Sequence, residues 1–263
     1  MCGIVGYTGG QPAQEIVLES LKKLEYRGYD SSGIAMHEDK LVIYKKEGPI
    51  ENMEAELPKS KSTLAIAHTR WATHGAPSDA NAHPHSDEEV SVAVVHNGTI
   101  DNYLEIKESL EAEGHNFKSD SDSEILPLLI SKYYSGNLVE AVNRTLDDIH
   151  GIFTIAAIHK DNPDEIVAVR NETPLVVGLG NSENFVSSDI YAILKYTQEI
   201  VYPEDYQIVR VTSDKVEVLD RDLNLLDYNV ETVEKYTEVA EKGGFEHFML
   251  KEIFEQPKAL QDS

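Results

Sequence analysis

Met1-Cys2-Gly3-Ile4-Val5-Gly6 opens the chain and holds its only cysteine. Removal of one methionine would make Cys2 the terminal residue, carrying a thiol and a free α-amine together. Their reference pKa values are about 8.5 and about 7.7–8.0, so the amine is matched to take the thiol proton near neutrality. That is the logic of a self-activating nucleophile. Position alone leaves a second reading open, in which Cys2 is a small apolar residue at the start of a strand. The rest of the chain has to decide.

Outward from this stretch, Ile4-Val5-Gly6-Tyr7 reads as a buried strand ended by Gly9-Gly10. Ile16, Val17, Leu21 and Leu24 then follow helical spacing over 12–25, with Pro12 suited to the start. Strands are expected over 33–36, 41–45, 63–68 and 90–95, with an acidic helix over 50–57. The β-branched run 90–95 ends in His96-Asn97-Gly98, and Asn-Gly after a strand is by default a tight turn. Helices are expected over 102–114, 125–134 and 138–149, with Asp120-Ser121-Asp122-Ser123-Glu124 as a run of N-cap residues before the second. Strands return over 152–158, 165–169, 175–178, 185–187, 208–211 and 216–219, with a short helix over 190–196. An amphipathic segment covers 245–259. Strands and helices come in blocks rather than in strict alternation, which favours an α+β fold with antiparallel sheets.

Composition bounds the function. The chain has 263 residues, 41% hydrophobic and 27% charged, as an ordinary globular protein does. One cysteine permits no internal disulfide, and no apolar run approaches membrane-spanning length. The N-terminus lacks the basic and apolar regions of a signal peptide, so a cytoplasmic protein is expected. With 47 acidic against 23 basic residues the net charge is −24, which repels nucleic-acid backbones. Neither nucleic acid nor membrane is expected as a partner.

An amide-cleaving cysteine needs donors for a developing oxyanion, and Asn97 (side chain) with Gly98 (backbone) could supply two. An amino-acid substrate needs a cation for its carboxylate and an anion for its ammonium. Arg70 offers the two-pronged donor, and Asp122 a carboxylate at a helix start. Each also has a plain structural reading, as a hairpin, a surface ion pair or an N-cap. His68, His74, His83, His85 and His96 make a tempting metal set, but no carboxylate pair completes a hydrolytic site, and no metal or cofactor is expected. Gly178-Leu179-Gly180 lacks the third glycine of a phosphate loop. A non-catalytic docking domain would have no need of a lone terminal thiol.

Five ordered stretches carry a resemblance: Met1–Gly6, Leu24–Ser31 (Leu-Glu-Tyr-Arg-Gly-Tyr-Asp-Ser), Ala67–Gly75 (Ala-His-Thr-Arg-Trp-Ala-Thr-His-Gly), Asn81–His85 (Asn-Ala-His-Pro-His) and His96–Gly98. Together they resemble the class II glutamine amidotransferase domain. Tyr29-Asp30 and the Arg70–Gly75 loop point to the branch that supplies ammonia for hexosamine synthesis. The resemblance implies a four-layer αββα sandwich of two antiparallel sheets, of the N-terminal nucleophile hydrolase type. It implies hydrolysis of L-glutamine through a thioester on Cys2, with Asn97 and Gly98 as the oxyanion hole. By the same likeness Arg70 anchors the glutamine carboxylate and Asp122 its amine, although Asp120 is a second candidate carboxylate. Trp71, Thr73 and His74 lie on the loop that closes over glutamine, with Trp71 gating ammonia, and Arg27 and His83 are possible supports. Residues 2–240 would form this domain and 241–263 the start of a linker toward sugar-isomerase domains. Those domains would bind fructose 6-phosphate, in a full-length homodimer. Another class II amidotransferase, or a non-catalytic regulatory relative, is the alternative.

Overall fold

The computed structural model describes residues 2–233 and, beyond them, residues 250, 251, 253–256 and 260. Most of the amphipathic segment expected over 245–259 lies outside the described residues. Strand β1 (Gly3–Gly9) leads into helix α1 (Ala13–Lys22), the hairpin β2 (Ser31–His37) and β3 (Leu41–Glu47), and helix α2 (Ile50–Glu56). Then come β4 (Leu64–Arg70), the two-residue β5 (His85–Ser86) and β6 (Val92–Ile100). Helices α3 (Tyr103–Ala112), α4 (Ile125–Tyr133) and α5 (Leu138–Asp148) follow as a block. The second half is built of β7 (Gly151–His159), β8 (Ile166–Asn171), β9 (Val176–Leu179), β10 (Glu183–Ser187) and β11 (Glu199–Val201). It ends with β12 (Ile208–Val211), β13 (Val216–Leu219), β14 (Leu225–Leu226) and β15 (Glu231–Thr232).

These strands form one sheet in the order β15-β11-β9-β10-β1-β4-β2-β3 and a second in the order β14-β13-β12-β8-β7-β6-β5. Neighbouring strands run antiparallel. Strand alternation sorts side chains into three apolar layers. Ile4, Leu64, Ile66, Ala93, Val95, Ala156 and Ile158 fill the space between the sheets. Their neighbours Val5, Tyr7, Ala65 and Ala67 face outward and pack on Val17 and Leu21 of α1. On the far side Val92, Val94, Phe153 and Ile155 pack on Leu126, Leu129 and Val142 of α4 and α5. Three cores between four layers make the αββα sandwich. Each fully buried Leu or Val contributes about 1.5–3 kcal/mol, so the outer helices are held by packing rather than by propensity. No helix among the described residues is long and apolar enough to cross a membrane.

The structure departs from sequence expectation in three places. Asn97-Gly98 is not a turn at a strand tip. β6 runs on to Ile100, with Asn97 opposite Thr154 and Gly98 opposite Phe153 on β7. A two-residue hairpin turn of type I′ would need positive φ at both residues, and here only Gly98 has it. The helix expected over 190–196 is only a 3-10 turn at Ile190–Ala192, because the chain must extend again by Glu199 to pair with β9. Strands β5, β11, β14 and β15 were not expected. They have two or three residues each and exist only through pairing with neighbours.

Candidate active site

The inward faces that are apolar in mid-sandwich turn polar at one end. Along β4 the alternating residues run Leu64, Ile66, His68, Arg70, and along β6 they run Ala93, Val95, Asn97. Before Ile4 on the same face of β1 stands Cys2. The register sets Gly3 opposite Thr69, so Cys2 lies beside Arg70 at the end of β4. β1 is paired on both sides, with β10 and β4, and Ile4 N–H also donates to Ser188 Oγ at 3.0 Å. The nucleophile candidate is thus fixed at the end of an interior strand.

Cys2 is half-buried, and its Sγ accepts from the Trp71 backbone N–H at 3.3 Å. Burial pushes the thiol pKa up, against the Trp71 N–H and the Arg70 guanidinium, which pull it down. A thiol in that state holds little thiolate at neutral pH and needs a base close by. Arg70 is buried, with Cys2, Asp122 and Asp30 near enough to favour its charge against the cost of burial. Its Nη2 donates to the carbonyls of His74 and Gly75, so it shapes the loop that follows it. Its Nη1 is buried without a hydrogen-bond partner among the described residues. A guanidinium N–H left so is costly, and an incoming carboxylate would satisfy it.

Asn97 spans the gap between the sheets. Its Nδ2 donates to the Cys2 carbonyl at 3.3 Å, and its Oδ1 lies 3.0 Å from His68 Nε2. Gly98 has φ +118°, and a Cβ there would fall 2.0 Å from the Ile152 carbonyl oxygen. Only glycine fits, and the unusual φ turns the peptide within a paired strand. Asp122 is buried at a 3-10 turn before α4, where Ser121 accepts from Ser123 N–H as the cap. One Asp122 oxygen accepts from Ile100 N–H at 3.0 Å and the other from Ser123 Oγ at 3.3 Å. Asp120 is exposed, its backbone N–H tied to Asn81.

The remaining predicted residues are placed less closely. Trp71 packs edge-on against Tyr29, with ring centroids 6.2 Å apart. His74 stands edge-on to Tyr103 at 5.7 Å, and Thr73 is exposed. Arg27 is committed to Asp189 at 2.8 Å and to the Tyr26 hydroxyl at 3.2 Å, in a wall beside the Ser187–Ser188 end of β10. His83 lies behind Asn97, its ring stacked on His68 at 4.3 Å. His85 stands edge-on to His83 at 4.8 Å, and His96 is parallel to it at 6.3 Å. Among the described residues no group of three or more His, Cys, Asp or Glu side chains is arranged to hold a metal ion.

Three residues beside the candidate site have no role assigned from the sequence, although Gly28 and Asp30 lie in a polar loop dense enough to line a pocket. Asp30 Oδ2 accepts from Ala72 N–H at 2.8 Å and so pins the loop after Arg70. A Cβ on Gly28 would fall 2.6 Å from Trp71 N, so the Arg27–Asp30 turn sits flush against the same backbone. His68 Nε2 is the side-chain contact to Asn97 Oδ1 from the other sheet. The even-numbered run from Leu64 to Arg70 was the available signal for His68, since an inward position between an apolar layer and a charged end falls on it. Cavity size gives no such signal. A groove of about 670 Å³ opens near β3 and β5, and neither Cys2, Arg70, Asn97 nor Asp122 lines it.

Compared with known proteins, residues 68–195 match the family model described as a glutamine amidotransferase domain. Over its whole length the chain is 48% identical to the isomerizing glutamine–fructose-6-phosphate aminotransferase of Caldanaerobacter subterraneus subsp. tengcongensis. This chain carries a glutamine amidotransferase domain. A second aminotransferase of that name, from Aquifex aeolicus, is 49% identical across the whole chain. The domain spans 44% and 45% of these two relatives and is homologous to their glutaminase half. Among solved structures it resembles glutamine phosphoribosylpyrophosphate amidotransferase from B. subtilis, complexed with ADP and GMP. The TM-score is 0.73 at 25% identity, over 85% of this chain and 50% of that one. The amidotransferase domain therefore has the N-terminal nucleophile hydrolase fold.

Proposed function

We propose that this domain hydrolyses L-glutamine to L-glutamate and ammonia, with Cys2 as the nucleophile. The observation that carries this reading is the placement of the Cys2 thiol beside Arg70, with the Asn97 carboxamide N–H turned toward the Cys2 backbone. Removal of Met1 frees the Cys2 amine, which takes the thiol proton that burial holds in place. The thiolate then adds to the glutamine carboxamide carbon, and the oxygen that becomes negative is met by Asn97 Nδ2 and Gly98 N–H. The protonated amine returns its proton to the departing nitrogen, ammonia leaves, and a Cys2 thioester remains. Water activated by the same amine releases glutamate and the thiol.

Arg70, through its unpartnered Nη1, takes the substrate α-carboxylate, and Asp122 takes the α-ammonium. Trp71, Thr73 and His74 cover the bound amino acid, with Trp71 controlling the passage of ammonia, while Arg27 and His83 support the walls. In the same reading residues 2–240 are the domain and 241–263 begin a linker. The ammonia then serves sugar-isomerase domains that convert fructose 6-phosphate to glucosamine 6-phosphate, in a cytoplasmic homodimer. Relatives more than twice as long as the matched region support that part.

The test is direct. Intact mass should show Met1 absent, and a diazo-ketone analogue of glutamine should label Cys2 once. Cys2→Ala should abolish ammonia release, whereas release at the wild-type rate, or retention of Met1 in active protein, would end the proposal.

A further inference from the structure

We infer that His68 is a positioning residue for the oxyanion hole. It holds the Asn97 carboxamide in the one orientation that can donate to substrate. The inference rests on the glutaminase reading above, and it concerns a side chain that reading leaves without a role.

A carboxamide is nearly symmetric in shape but opposite in polarity at its two ends, so an oxyanion hole built on Asn97 fails if the group turns over. Two contacts set its orientation. The Cys2 carbonyl is an acceptor and draws Nδ2 at 3.3 Å. That bond is long, and it involves the residue that must react. The second contact is shorter and comes from the opposite sheet, with His68 Nε2 at 3.0 Å from Asn97 Oδ1. Oδ1 can only accept, so Nε2 carries the proton. Among the described residues His68 Nδ1 has no hydrogen-bond partner, which agrees with that tautomer.

Burial keeps His68 in this form. The residue is fully buried, and desolvation pushes its pKa down to about 3 against the opposing bond to Asn97. Its ring is packed face to face with His83, and His83 is fixed in turn because its Nδ1 accepts from His96 N–H at 3.3 Å. The donor aimed at Asn97 thus stays neutral near pH 7, its ring packed against His83. His68 touches no reacting atom. It acts through Asn97.

The proposal is tested in the whole chain with glutamine hydrolysis as readout. His68→Leu removes the donor and is expected to lower kcat about 10–100-fold, with KM within about threefold because Arg70 and Asp122 are untouched. Glutamate γ-semialdehyde adds the Cys2 thiol to its aldehyde carbon, placing the new oxygen in the hole. Its affinity should fall by a factor similar to kcat, while affinity for glutamate itself stays level. In an Asn97→Ala background His68→Leu should cost nothing more. Should His68→Leu not fold, His68→Gln and His68→Asn decide the matter. Only glutamine reaches far enough to put an N–H where Nε2 was, so it should retain most activity and asparagine should not. Wild-type kcat in His68→Leu, losses that add to those of Asn97→Ala, or equal activity in the Gln and Asn variants would each overturn the inference. Cys2→Ala reports separately on the glutaminase reading, so failure of one is distinguishable from failure of the other.

Discussion

At Gly98 a single methyl group is already too much. Gly98→Ala puts a Cβ against the Ile152 carbonyl and forces a non-glycine residue to φ +118°, a backbone cost of about 1–3 kcal/mol before the clash is counted. The expected outcome is a lower Tm together with a fall in kcat of about 10² or more, read by thermal melting and steady-state ammonia release. Arg70→Lys should behave differently. A point charge replaces a fork whose Nη1 has no partner among the described residues, so KM for glutamine should rise about tenfold or more, since a charge-assisted hydrogen bond is worth about 1.5–3 kcal/mol. An unchanged KM would remove Arg70 from the substrate site. At this scale the candidate site stood out as unusual residues in unusual places, a terminal Cys, an Asn-Gly pair and an isolated Arg-Trp, and the fold brings Cys2, Arg70 and Asn97 together. Burial separates Asp122 from the exposed Asp120, a difference that two carboxylates two residues apart do not reveal. The part played by His68 depends on a partner 29 residues away on the other sheet.

Between β4 and β5 the chain makes the loop on which the proposed closure over substrate depends, and Asp30 is its anchor. Asp30→Ala leaves Ala72 N–H without its acceptor. Exchange of that amide with solvent should quicken about tenfold, as loss of roughly 1.4 kcal/mol implies. The same change removes a negative charge that raises the Cys2 thiol pKa. The pH profile of Cys2 alkylation should therefore move to lower pH in Asp30→Ala, and a profile that stays or rises would contradict the electrostatic picture. Helices were the most legible elements, since α1 and α5 show their buried faces as a 3.6-residue repeat. β6 outruns the hydrophobic run that marks it in the sequence, which yields to His96-Asn97-Gly98. The chain keeps pairing there because β7 offers partners as far as Gly151, and hydropathy carries no record of a partner strand.

Across the molecule, buried imidazoles make stability depend on pH, four of them in one cluster with His159 apart from it. Burial pushes His68 down to about 3, His83 and His85 well down, and His96 down as well. The unfolded chain binds protons at these residues below about pH 6.5, while the folded chain resists. Stability is then level above that pH and declines below it, by up to about 1.4 kcal/mol per pH unit for each fully neutral His. Urea midpoints should drop between pH 7 and pH 5.5, above the range in which most carboxylates titrate. A flat profile over that interval would mean that the cluster takes up protons in the fold. The αββα layering was implied by the resemblance, and the block arrangement of elements pointed the same way. Which face of each strand meets the opposite sheet was fixed only by pairing, since central strands such as β4 and β7 are apolar on both faces.

β1 is flanked by β4 and by β10, a segment that ends at Ser187. During synthesis the first strand therefore waits, one edge bare, until nearly two hundred residues have emerged. At about 5–20 residues per second that interval is roughly 10–40 s. If the nucleophile is to be unmasked, an aminopeptidase has that span in which to reach Met1 before the site closes around it. The position of one strand in its sheet thus sets a deadline for a processing enzyme. Pausing or hastening translation ahead of β10 should change the fraction of chains that mature.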